Sequence, residues 1–176
     1  MLWSKKMLEL VSGNHEVLTQ ELPQFDFENP PLDPKELANQ LFEVMEKNNG
    51  LGLAANQVGL QHRVFVLNCN PKLACFNPRI VYTSDDYSVG DEGCLTWPGF
   101  VMKVRRPKNI RIRFQDETGQ TKTESLGGLV ARVAQHELDH LNGITFFSRA
   151  KKHHIEQAKR KFELNKRKLK KVINYV

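Results

Sequence analysis

A chain of 176 residues, 40% hydrophobic and 26% charged, has the size and balance of one globular domain, which excludes a disordered or fibrous protein. No apolar run approaches the roughly 18–20 residues of a membrane span, and residues 1–10 lack a signal peptide's apolar stretch, so a cytoplasmic protein without a membrane partner is expected. The net charge of +6 is uneven: residues 148–176 hold eleven Lys/Arg against two Glu, leaving −3 on the first 147.

Residues 1–32 show no clear period. Asp33-Pro34-Lys35-Glu36 then marks a helix start, with Asp as cap, Pro at the first helical position and Glu on the first turn. Leu37, Leu41, Val44 and Met45 give that helix a buried face, and Asn48-Asn49-Gly50 ends it. The next segment, Gly50-Leu51-Gly52-Leu53-Ala54-Ala55-Asn56-Gln57, has neither phosphate-loop pattern. Its small residues suit a wall along which an extended substrate lies, with Gln57 able to aim its amide at developing negative charge.

Residues 64–67 and 80–82 predict strands, with Asn68 to Asn77 as their connection. Cys69 and Cys75 fall in or beside that loop and read as packing residues, and three cysteines in a reducing compartment make no disulfide framework. Ile110, Ile112 and Phe114 alternate with Arg111, Arg113 and Gln115, describing a half-exposed strand. Asp116 to Gly119 turns it into a polar strand near residues 120–124. A second helix follows Gly127-Gly128 and runs to about Leu141. Leu129, Val130, Val133, Ala134, Leu138 and Leu141 wrap much of its circumference, so it is expected to be buried. A third helix fills the basic tail, where Ile155, Ala158, Phe162, Leu169, Val172, Ile173 and Val176 form one narrow apolar face. The fold class is α+β with mainly antiparallel pairing. Residues 1–147 read as a catalytic domain and residues 148–176 as a basic extension.

The chemistry lies in Gln135-His136-Glu137-Leu138-Asp139-His140. H-E-x-x-H on a helix sets two imidazoles one turn apart on one face, where both reach a single metal ion. Glu137, beside a ligand, is placed to take a proton from an activated water without ligating. A catalytic metal of this type keeps three protein ligands and an open position. The third His of the extended motif is absent, since Phe146 stands where it would fall. Glu156 and Glu163 belong to the basic helix, where lysines are their natural partners. Cys94, in Gly90-Asp91-Glu92-Gly93-Cys94-Leu95-Thr96-Trp97-Pro98-Gly99, is the better candidate, because a metal-bound thiolate is a strong soft ligand.

Three segments in order, Gly50 to Gln57, Glu92 to Leu95 and Gln135 to His140, resemble the three signatures of the peptide deformylase family. The resemblance covers roughly residues 35–147 and extends through Arg63-Val64, Asn77-Pro78 and Arg106-Pro107. The chain departs from the family in having Thr96 where Ser is usual, and Asn14-His15-Glu16-Val17-Leu18 near its start. The resemblance implies antiparallel sheets around a central helix that bears Cys94's partners His136 and His140. It further implies a metal-dependent hydrolase that removes the N-formyl group from formylmethionine on nascent polypeptides and releases formate. Gln57 and the Leu95 backbone N–H would stabilise the oxyanion, and Gly50, Leu51, Gly52 and Gly93 would bind substrate. One divalent ion is expected, Fe²⁺ foremost, with Zn²⁺, Ni²⁺ or Co²⁺ as possible occupants. The basic tail is expected to anchor the enzyme on the ribosome by facing RNA phosphates, with no DNA partner. Two other readings are a zincin-type endopeptidase and a ribosome- or RNA-binding module with a relic metal site.

Overall fold

The computed structural model describes the backbone of residues 7–173 and the side chains of residues 7–167. The tail expectations for the side chains of Lys168, Leu169, Lys170, Lys171, Val172, Ile173 and Val176 lie outside the described residues, as do those for residues 1–6.

Helix α1 is Pro34–Lys47, and the Asp33 carboxylate caps it by accepting from the Glu36 N–H at 2.7 Å, which satisfies one of its orphan donors. Strands β1 (Gly52–Ala54), β2 (Val64–Leu67) and β3 (Leu73–Thr83) follow. A hairpin of β4 (Tyr87–Gly93) and β5 (Val101–Pro107) comes next, then β6 (Asn109–Gln115) and β7 (Thr121–Gly127). The chain ends in α2 (Gly128–Leu141), a short α3 (Phe146–Arg149) and α4 (Lys152–Ile173). Every strand pair is antiparallel. One sheet has the order β1-β2-β3-β6-β7, and β4-β5 forms a second.

The Val-Phe-Val-Leu run of β2 is apolar throughout because both its faces are covered. Val64 and Val66 join the core beneath α1, whereas Phe65 and Leu67 join the core beneath α2. Helix α2 therefore lies against the sheet on the side away from α1, with β1 within reach of its middle turns. A third, smaller core of Met102, Phe146 and Ala158 joins α4 and α3 to β5.

Three expectations are corrected, and one element is added. The connection between the first two predicted strands is only residues 68–72, because β3 already starts at Leu73 and pairs with β2 from Leu67 to Val64. Cys75 is accordingly a fully buried strand residue, not a loop residue. Asn77-Pro78 sits at a register shift within β3, with Asn77 at φ +50°. There the Asn77 side chain accepts from the Phe25 N–H and donates to the Phe25 carbonyl and Gln115, so the bulge loses no polar partners. Leu129 at the start of α2 is 60% exposed, because the helix opens onto a cleft at that end. The added element is the β4-β5 hairpin, which the sequence pattern did not announce.

Candidate active site

The site forms where three segments far apart in sequence meet: β1 with the turn after it, the end of β4, and α2. Helix α2 brings His136 and His140 to one face, and the chain leaving β4 carries Cys94 to the same point. Cys94 Sγ lies 3.3 Å from His140 Nε2. One ligand atom from each of Cys94, His136 and His140 falls within 4.8 Å of the others. Glu156 and Glu163, the fallback third ligands, are exposed on α4. A soft thiolate with two imidazoles is a three-ligand set that leaves one position open, the donor set of a catalytic divalent ion.

The electrostatics agree with that fit. Burial pushes His140 well below its ordinary value, which keeps the ring neutral as a metal requires. Burial also opposes charge on His136, but hydrogen bonds with Cys94 and Glu92 push it up to about 10. Its surroundings therefore favour a positive charge at this point, which a metal ion at Nε2 would supply in place of the second ring proton. Glu137 is pushed up to about 7, chiefly by burial. Its Oε2 is buried with no hydrogen-bond partner, and a buried carboxylate oxygen left unpaired is expensive unless a ligand or water meets it.

A cleft of about 330 Å³ opens in front of these groups. Its walls include Gly50, Leu51, Gly52, Gln57, Gly93, Cys94, Leu95, His136 and Glu137. Every residue to which the sequence reading gave a catalytic, metal-binding or substrate-binding role, except His140, therefore lines one cavity, and His140 lies behind, almost wholly buried. Gly52 is required by the close approach of β1 and α2. A Cβ built there would fall 2.6 Å from Glu137 Oε1 and 2.7 Å from Val133 Cγ1. The Gln57 amide is fixed at both ends: its oxygen accepts from the Ala54 N–H at 2.9 Å, and its nitrogen donates to Thr96 Oγ1 at 3.1 Å and reaches Cys94 Sγ at 3.4 Å. Thr96 thus supplies the hydroxyl that Ser would supply.

Residues the sequence reading left without a role surround the candidate ligands. Glu92 accepts from His136 Nδ1 at 3.1 Å. Arg106 grips Glu92 through Nε at 2.6 Å and Nη2 at 2.9 Å, and its Nη1 donates to Asp139 at 2.8 Å. Arg132 donates to Glu92 at 2.8 Å, and Arg149 closes on Asp139 at 3.0 and 2.5 Å. Burial alone would raise Glu92, yet the Arg106 and His136 hydrogen bonds hold it at about 2. Trp97 lies nearly parallel to His140, with centroids 6.2 Å apart, and also packs on Phe146 at 5.9 Å. The signal for Glu92 and Asp139 was their place inside the motifs, and for Arg106 its place in the Arg106-Pro107 pair; Arg132 and Arg149 gave none, because their partners lie 40 and 10 residues away.

A family model described as polypeptide deformylase matches residues 7–156. A peptide deformylase of Synechocystis sp. is 40% identical over 121 residues, a stretch covering 65% of this chain and 65% of that protein. The chain therefore spans just under two thirds of that relative's length. The crystal structure of a peptide deformylase from Synechococcus elongatus, in complex with actinonin, superimposes with a TM-score of 0.79 at 33% identity, covering 88% of this chain and 85% of that one. The Arabidopsis thaliana peptide deformylase 1B, solved with an inhibitor, gives a TM-score of 0.81 at 33% identity over 93% of both chains. These structures share the α+β architecture expected from the sequence.

Proposed function

The chain belongs to the polypeptide deformylase family, and from that premise we propose that it hydrolyses the N-formyl group of formylmethionyl peptides, releasing formate and a free N-terminal methionine. The observation that carries the reading is the meeting of Cys94, His136 and His140 with the buried Glu137 in one cleft. Neither alternative, endopeptidase or non-catalytic module, gains support from the comparisons.

Cys94, His136 and His140 are the residues that would hold the metal, which when bound supplies Lewis-acid charge and lowers the pKa of water. Glu137, with a proton affinity near neutrality, takes a proton from the attacking water and returns it to the leaving amine. The Gln57 amide and the Leu95 backbone N–H stabilise the oxyanion, a role worth roughly 3–4 kcal/mol per donor. Gln57 is suited to this because its own oxygen is already tied to Ala54, which fixes which end of the amide faces the cleft. β1 is the terminal strand of its sheet, so a substrate backbone can pair beside Leu51 and Gly52 by strand addition. Gly50 and Gly93 line the same cleft, and a formyl carbon bearing only hydrogen suits the close wall at Gly52.

The metal is read as Fe²⁺, with Zn²⁺, Ni²⁺ or Co²⁺ also compatible with two imidazoles and a thiolate. An iron form would be vulnerable to oxygen through its thiolate. The catalytic unit is read as residues 1–147 and the extension as residues 148–176. The extension is read as a ribosome contact, supported by exposed Lys159, Arg160, Lys161, Lys166 and Arg167 on α4. Among the described residues no helix is long and apolar enough to cross a membrane. Formate release from a formyl-Met peptide by protein purified without oxygen, together with its metal content, tests the reading. Metal-loaded protein that releases no formate would overturn it.

A further inference from the structure

We propose that Phe162 of α4 is a positioning residue for substrate, holding the wall of the cleft formed by Gly99, Phe100 and Val101. The inference rests on the deformylase reading and extends it to a helix outside the three motifs.

Residues 94–100 run between β4 and β5 without ladder hydrogen bonds of their own. Their internal ties are the Trp97 N–H to the Cys94 carbonyl at 3.1 Å and the Phe100 N–H to the Trp97 carbonyl at 3.3 Å. A segment of this kind keeps its shape mainly through what packs on it. Gly99, Phe100 and Val101 line the cleft, and the same segment begins at the candidate ligand Cys94.

Helix α4 supplies that packing. Ile155, Ala158 and Phe162 follow helical spacing on one face. Ala158 is buried against Met102 and Phe146, with Ile155 beside it. Phe162, one turn further, stacks on Phe100 with centroids 4.4 Å apart and planes at 18°. It also covers Gly99, which has φ +85° and where a Cβ would lie 3.2 Å from Phe162 Cδ2 and Cε2. The Phe100 ring is held on another side by the edge of Phe147 at 5.7 Å. The wall is thus clamped between α3 and α4; α3 also meets a candidate ligand, since Phe146 packs on His136 at 5.7 Å, but the Phe162 half of the clamp rests on Phe100 and Gly99. Loss of it should loosen substrate binding and leave the chemical step alone.

The full-length, metal-loaded chain is compared with Phe162→Ala, Phe162→Leu, Phe162→Tyr and, as a control, Leu164→Ala, an exposed position on the same helix. With formyl-Met-Ala as substrate, Phe162→Ala should raise KM about three- to tenfold, the size expected from one aromatic stack. Its kcat should stay within about twofold, and metal content should not change. Phe162→Leu should fall between, and Phe162→Tyr and Leu164→Ala should match the parent. The Kd of the same peptide, measured by calorimetry on chains that also carry Glu137→Gln, should shift as KM does. Unchanged KM and Kd in folded Phe162→Ala or Phe162→Leu overturn the inference. So does a joint loss of kcat, metal and thermal stability in both, since α4 would then act only as scaffold. A parent chain that neither binds nor hydrolyses the peptide overturns the deformylase reading, and the inference with it.

Discussion

His136 Nδ1 lies 3.1 Å from the Glu92 carboxylate, and because Glu92 is held ionised it can only accept, so Nδ1 carries the proton and Nε2 is left for a metal. The carboxylate is itself immobilised by two bonds from one edge of Arg106, Nε to Oε1 and Nη2 to Oε2. This is the outer support that fixes the tautomer and orientation of a ligating imidazole.

Glu92→Gln should therefore weaken metal affinity about 10- to 100-fold, read by competition with a chelator, while the chain stays folded. Arg106→Met is a different lesion. It takes the bidentate partner from Glu92 and one of two arginines from Asp139, both buried. Their remaining arginines are Arg132 and Arg149, and removing one member of such a network costs up to about 3–5 kcal/mol. Denaturant unfolding of Arg106→Met should show a loss of that order. A midpoint equal to the parent's would mean that the ionic network does not hold the site together.

Glu137→Gln should keep the metal and lose turnover by about 10²–10⁴-fold, the usual contribution of a general acid–base group. The amide is nearly isosteric with the carboxylate, so packing against Gly52 is preserved and the comparison isolates the proton. Near-parent formate release by a metal-replete Glu137→Gln protein would sink the role assigned to Glu137.

Local chemistry explains what the sequence disclosed. The α1 start could be read from Asp33, Pro34 and Glu36 because a cap is made by neighbours, and the two His of α2 because their contact follows from helix pitch. The β4-β5 hairpin could not. On β5 the inward positions are Met102, Val104 and Arg106, and a buried arginine breaks the apolar alternation that marks a strand. Arg106 is tolerated there only because Glu92 and Asp139, 14 and 33 residues away, meet it in space. Likewise Glu92 stood in a legible motif, but its support of His136 depends on a contact across 44 residues. Leu129 misled for the converse reason: helical periodicity marks an apolar face without saying whether core or cleft adjoins it.

Cys94→Ala should lose or strongly weaken metal binding, because it removes the one soft donor among the three candidate ligands. Cys69→Ala and Cys75→Ala serve as controls, since neither side chain lies among the grouped donors. Cys75 is fully buried on β3, so its variant is expected to cost some stability while retaining the metal. Full occupancy and activity in Cys94→Ala would remove Cys94 from the ligand set.

The reading of α4 as a ribosome contact separates from its packing role, because the two use different faces. Ile155, Ala158 and Phe162 face the body, whereas Lys159, Arg160, Lys161, Lys166 and Arg167 are exposed. Among the described side chains the exposed acids of the helix are Glu156 and Glu163, too few to neutralise it. Cations on one helix are suited to a phosphate backbone, and each contact that displaces a counterion steepens the salt dependence. Reversing charge at Lys159, Arg160, Lys166 and Arg167 together, rather than cutting the helix off, leaves the Phe162 stack in place. That variant should hydrolyse short formyl peptides like the parent but fail to co-sediment with ribosomes at low salt. The parent's own co-sedimentation should decline steeply as salt is raised. Ribosome binding that survives the four substitutions would remove the helix from that role. A variant that loses peptide hydrolysis as well would show the charged face to be needed for the catalytic body itself.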